Sequence, residues 1–249
     1  MPVLTLQPHY PSERYNSVVP NQPPPAYTPT HSTSRLTVGL NGFAAWFVRH
    51  WLALIIGIML TYVLLPFGAP VLMKLGAVGP AQWIYQPYKL VCHTYAFRSF
   101  FLFGPQLTYA RGQGDGEFER ASGIGVDPMG ILQAREFQGN EQMGYKVALC
   151  ERDIAIYLSI GINGIIYASM RRRARPLPWL LFIVIGIVPI GVDGFSQILS
   201  QWPLQLLPFR ESTWYWRVIT GSLFGFSVAW LVFPLIQETM RGVGRTDRT

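Results

Sequence analysis

Residues 178–199 read PWLLFIVIGIVPIGVDGFSQIL. The run is long enough to cross a bilayer, since about 20 residues at 1.5 Å each cover the ~30 Å hydrocarbon layer. Inside it stand Asp193 and Gln197. A carboxylate at membrane depth costs about 3 kcal/mol or more and marks a functional site by default. The two residues are four apart, so a helix presents them on one face. This one stretch predicts both a membrane fold and the place in it where polar chemistry gathers.

Three further apolar segments lie outward from it, at about 45–67, 153–170 and 216–236. With no water in the hydrocarbon, backbone groups must be satisfied within each segment, which predicts helices. Composition agrees: half of the 249 residues are hydrophobic and 13% are charged, against ~25% in soluble domains. The formal charge of +7 comes from basic residues that flank apolar runs, and no nucleic-acid recognition motif accompanies them. The predicted fold is all-α, a polytopic integral membrane protein of about four transmembrane helices. The expected surroundings are the lipid bilayer, with no nucleic acid, and a membrane-protein partner or a homo-oligomer remains open.

Arg171, Arg172, Arg173 and Arg175 lie between the second and third spans, Arg35 and Arg49 near the first, and Arg241, Arg245 and Arg248 after the fourth. The connection after the third span holds Arg210, with Arg217 opening the next helix. The positive-inside rule then puts both termini in the cytoplasm of a multi-pass protein of the cell membrane, with residues 68–152 and 200–215 outside. Residues 68–91 carry Lys74, Pro80, Pro87 and Lys89. A fifth crossing there would turn the 171–175 arginines outward, so the segment is expected to be interfacial or re-entrant. Residues 1–44, with NQPPPAYTPT at 21–30, read as a disordered Pro-rich cytoplasmic arm. The PPxY form at Pro24-Pro25-Ala26-Tyr27 is read as part of that solvated tail. The membrane domain is expected over 45–240, with an extracytoplasmic insertion at 104–149 and a cytoplasmic tail at 241–249. Asp127-Pro128 is expected to open a short helix in the insertion.

Polar groups from several segments fall at the outer level: Cys92, His93 and Arg98; Cys150, Arg152 and Asp153; Asp193 and Gln197; Arg210, Glu211, Ser212 and Thr213; and Arg217. Trp202, Trp214, Tyr215 and Trp216 read as an aromatic belt at that interface. Gly161-x-x-Gly164 and Gly221-x-x-x-Gly225 read as close helix-packing points. Asp193 is expected to pair with an arginine such as Arg98, Arg152 or Arg217, or to serve as a base. The three arginines could equally clamp a phosphate headgroup. Cys92 and Cys150, the chain's two cysteines, could be disulfide-bonded, free or metal-bound. No Walker A, dinucleotide glycine set, nucleophile elbow or HExxH motif is present. No internal repeat is evident, so the inverted-repeat signature of many transporters is missing. His9, His31 and His50 receive no role.

The order CHTYAFRSFF (92–101), ALCERDIAIY (148–157), PIGVDGFSQ (189–197) and REST (210–213), then Arg217 and Gly221, resembles a family of uncharacterised prokaryotic membrane proteins with a domain of unknown function. The family's signature is similar to Cys-His-x4-Arg-Ser-Phe-Phe, Cys-x-Arg-Cys, Asp-Gly-x-x-Gln and Arg-Glu-Ser-Thr. The resemblance covers about 85–240 and implies a polytopic helical fold without a settled activity. In the family, Cys, His and two further Cys resemble a metal site of zinc-preferred ligands. Here the second cysteine of Cys-x-x-Cys is Asp153, so the implied set is Cys92, His93, Cys150 and Asp153, for zinc or another divalent transition metal. Asp193, Gln197, Arg98, Arg152 and Arg217 are expected to line it. Three function classes stay open at this level: a metal- or headgroup-binding membrane enzyme, a small ion or proton transporter using Asp193, and a structural or assembly subunit with a Cys92–Cys150 disulfide.

Overall fold

The computed structural model describes residues 35–113, 116–125, 127–201 and 203–246. Residues 1–34 of the Pro-rich arm, Trp202 and Arg248 lie outside the described residues, whereas residues 35–44, expected to be disordered, form the start of a helix. By contact the chain divides into residues 1–41 and 42–249, and the packing below concerns the second unit.

Helix α1 (Arg35–Leu64) continues through a 3-10 turn at Leu65–Phe67 into α2 (Gly68–Lys74). The chain reverses at Gly76, whose φ of +76° suits a residue without Cβ, and returns as α3 (Val78–Val91). Residues 68–91 are therefore a helical hairpin whose first arm extends the preceding apolar helix. Gly42–Lys74 is one helical run long and apolar enough to span a membrane, as are Trp179–Ser200 (α7) and Trp214–Met240 within α8 (Trp214–Thr246). The other long helix is α6 (Glu151–Ser169). Its first turn holds Glu151, Arg152 and Asp153, and those charges lower its mean hydropathy.

Helix α6 packs most closely against α8, and glycines set the approach. A Cβ on Gly225 would lie 2.2 Å from Ile156 O, and one on Gly221 would lie 2.9 Å from Arg152 O. Further along α6, Gly164 leaves room for Ile56 of α1, 2.7 Å from the Cβ position, with Phe233 of α8 3.4 Å away. Helix α7 contains a π-helical segment at Phe182–Ile187 just before Pro189. Proline offers no N–H to the carbonyl four residues back and crowds it, and a widened turn accommodates both defects.

The structure corrects the all-α expectation. Strands β1 (Ser99–Leu102), β2 (Gly139–Asn140) and β3 (Gly144–Cys150) form an antiparallel sheet in the order β1-β3-β2. Strand β3 reads GYKVALC and is buried along most of its length on both faces. One face meets Tyr85, Tyr88 and Ala69 of the hairpin. Around β1, a second cluster of Phe97, Phe101, Phe118, Ala134 and Met143 gives the insertion its own core. Helices α4 (Glu117–Ser122) and α5 (Pro128–Glu136) belong to that subdomain. Asp127 caps α5 by accepting from Gly130 N at 2.8 Å. Arg135 Nη2 donates to Lys89 O at 2.7 Å, Lys89 pairs with Glu136, and Gln82 and Gln138 exchange hydrogen bonds, joining the subdomain to α3.

Candidate functional site

The sheet register builds the site. Ser99 lies opposite Cys150, so the loop from Cys92 to Arg98 folds back over the start of α6. Cys150 ends β3 and N-caps α6, its Sγ 3.5 Å from Asp153 N. The thiol pushes well above the ordinary range because it hydrogen-bonds the Cys92 thiol and is buried. Cys92 and Cys150 are free thiols. Ligand atoms of Cys92, Cys150 and Asp153 all lie within 4.8 Å of one another. His93 is exposed and stacks on Tyr95 at 5.7 Å, apart from that group although it borders the same cavity.

That cavity is about 410 Å³ and is lined by Cys92, His93, Thr94, Arg98, Cys150, Arg152, Asp153, Gln197 and Arg217 among others. The sequence therefore names residues that the fold brings together. Asp193 does not line it. Its carboxylate sits behind the wall, 4% exposed, paired with Arg152 and, at 3.1 Å, with Arg210 Nη2. Gln197 Nε2 donates to Asp193 O at 3.0 Å. Arg152 was among the expected partners, and Arg210 from the following loop completes the pair.

A second ionic network supports the other two arginines. Arg217 Nη1 donates to Glu151 Oε2 at 3.0 Å, its Nη2 pairs with Glu211, and Arg98 holds Glu211 through Nε at 2.8 Å and Nη2 at 3.2 Å. Glu151 is 1% exposed and Arg217 3%. Burial pushes the Glu151 carboxyl up while the Arg217 charge pulls it down. Sequence reasoning passed over Glu151, because a charged residue at a helix start is ordinary and only its partner makes it a buried ion. Glu211 was noted merely as loop polarity.

Lys146 was missed altogether. It points into the subdomain with 0% exposure, and its Nζ reaches Thr94 O at 2.8 Å and Arg135 O at 2.7 Å. Burial, with Lys89 nearby, lowers its pKa to about 7. Two carbonyl acceptors match the two N–H bonds of a neutral amine. This side chain pins the Cys92–Thr94 loop to α5, and the sole sequence signal was a lysine in an otherwise apolar strand.

One side of the cavity and most of its ionic wall fall within a segment that matches a known family. Residues 141–231 match a family described as Predicted membrane protein (DUF2085). The match takes in Cys150, Arg152, Asp153, Asp193, Gln197, Arg210 and Arg217, and stops short of Cys92, His93 and Arg98. The chain is also similar to an uncharacterized protein of Methanocaldococcus jannaschii, 24% identical over 196 residues that cover 76% of this chain and 94% of the relative. No solved structure matches. The resemblance to an uncharacterised membrane family is met by both findings. The protein is a membrane protein with apolar helices able to span a bilayer.

Proposed function

We propose that this protein is a four-span membrane protein whose polar cavity holds a divalent transition metal through Cys92, Cys150 and Asp153. One observation carries the reading: two thiols and a carboxylate within 4.8 Å of one another at the wall of a cavity. Tetrahedral zinc with Cys and Asp ligands sets its donor atoms roughly 3.3–3.8 Å apart, which small side-chain rotations reach from here. The donor chemistry fits zinc, and three protein ligands with a free position are the pattern of sites that act on a substrate. His93 stands beside the group and reaches it by a loop adjustment. Such a metal supplies a Lewis acid at the cavity wall. The transporter alternative is less well supported, because two guanidiniums already neutralise Asp193.

In this reading α6 from Asp153 onward is the fourth crossing, within a membrane domain of residues 45–240. The arginines at 171–175 mark the cytoplasmic side, together with both termini, in the cell membrane, and the cavity and subdomain 104–149 lie outside. The exposure of Trp214, Tyr215 and Trp216 at the start of α8 suits an outer interface.

Elemental analysis of detergent-purified protein, paired with a thiol count before and after reduction, tests the metal. The expected result is about one metal per chain, lost in Cys150→Ser and Asp153→Asn, with both thiols countable without a reductant. No metal, with two thiols appearing only on reduction, would replace the site with a Cys92–Cys150 disulfide and sink the reading.

A further inference from the structure

We infer that the same cavity binds a phosphoryl group, with Arg152 and Thr94 as its principal donors, a deepening that rests on the cavity being the working site. The argument begins with which charges face the space. Arg98, Arg152 and Arg217 line it, while their carboxylate partners Glu151, Glu211 and Asp193 do not. The carboxylates stand behind the guanidiniums and fix their orientation. A guanidinium has five N–H donors in a rigid fork, so those turned away from a backing carboxylate remain for a ligand. Asp153 is the one carboxylate on the wall, and it belongs to the metal-binding trio. The cavity thus presents three cations from three separate elements.

Two of the lining residues, Thr94 and Arg152, each carry a buried polar atom without a partner. Thr94 is 1% exposed, yet its Oγ1 has no hydrogen-bond partner among the described residues, and the same holds for Arg152 Nε. Leaving a buried donor unpaired is unfavourable, and an acceptor brought next to it would remove that penalty. Thr94 also carries a φ of 49°, a left-handed conformation that a β-branched residue adopts at a cost and that clusters at ligand sites. Lys146 holds the carbonyl of that residue, so the loop is fixed in this shape by design of its neighbours. A planar carboxylate offers two oxygens. A terminal phosphoryl group offers three, which suits three guanidiniums and a hydroxyl arriving from different directions. The volume, about 410 Å³, lies within the usual ligand-pocket range of roughly 300–1,000 Å³.

The test titrates inorganic phosphate into metal-stripped, full-length protein in detergent by calorimetry. A parallel arm compares nanodiscs of phosphatidylcholine with and without phosphatidic acid, whose headgroup is a terminal phosphoryl group. Saturable phosphate binding supports the proposal with a soluble phosphoryl compound as the source. Stabilisation confined to phosphatidic acid nanodiscs supports it with a lipid headgroup as the source. The absence of both responses overturns it. Thr94→Val should weaken the responding ligand about ten- to hundredfold, the loss of one hydrogen bond to a charged group. Arg152→Gln, which leaves Asp193 its Arg210 partner, should do the same if Thr94→Val fails to fold. Unchanged affinity in a folded variant also overturns the assignment. Because the protein is metal-free, phosphate binding without any metal in the parent preparation would sink the metal reading alone. Metal retention without phosphate binding would sink this one alone.

Discussion

Replacing Arg217 with methionine tests whether the buried ionic wall holds the fold together. The guanidinium bridges Glu151 at 3.0 Å and Glu211. Glu211 would keep Arg98, 2.8 Å away. Glu151 would keep no ion-pair partner among the described residues, at 1% exposure. Breaking a buried pair from one side costs about 3–5 kcal/mol, mostly from the charge left behind. At ~2–4 °C per kcal/mol for a chain of this size, the thermal midpoint should fall by roughly 6–20 °C in detergent. The pH dependence has a definite sign. Burial already raises the Glu151 carboxyl, and Arg217, more than the Arg98 charge that would remain, opposes the rise. Without it the folded-state value climbs further, so the penalty is full at alkaline pH and is relieved as pH falls through that value. Adding Glu151→Gln to Arg217→Met should recover part of the loss, because an uncharged amide is cheaper to leave unpaired. A midpoint drop under about 3 °C, or a deficit that widens towards acid pH, would refute the reasoning.

Two further outcomes are expected. In wild type, Lys146 has a folded value of about 7 against the ordinary 10.5. Between those values the unfolded chain binds a proton that the folded chain lacks, so stability rises with pH there. Lys146→Met should abolish that contribution, at most about 1.4 kcal/mol per pH unit, read as a wild-type-minus-variant midpoint difference that grows from pH 7 to 10. Gly225→Ala should destabilise by about 1–3 kcal/mol through overpacking against Ile156, whereas Gly57→Ala, with nothing within 4 Å of its Cβ position, should be near neutral. Equal midpoints for the two glycine variants would contradict the close α6–α8 approach.

The long apolar helices were legible because membrane burial writes itself into local composition. Asp193 stood out for the same reason, as a polar residue in an apolar run. The α6 helix was legible from its isoleucines, but its charged first turn blurs its boundary, and that turn is where the site lies. The sheet was hidden because β1 and β3 pair across the whole insertion, a long-range choice that no local period records. The subdomain core was hidden because Phe97, Phe118 and Met143 are scattered among glycines and charges. Partners in the ionic wall were hidden for a different reason. A sequence lists charges, and only the fold decides that Arg210 meets Asp193 while Arg217 meets Glu151.

The widened turn at Phe182–Ile187 has a rotational consequence. Each residue of an α-helix advances its face by about 100°, so a chain with one residue fewer in that turn would present Asp193 a quarter-turn or more away from Arg152 and Arg210. The carboxylate would then face lipid, and both arginines would lose their counter-charge. The phase of α7 is set several residues upstream of the group it aims, in a stretch made only of Phe, Ile, Val and Gly. Apolar residues with no chemistry of their own decide here whether the polar wall closes.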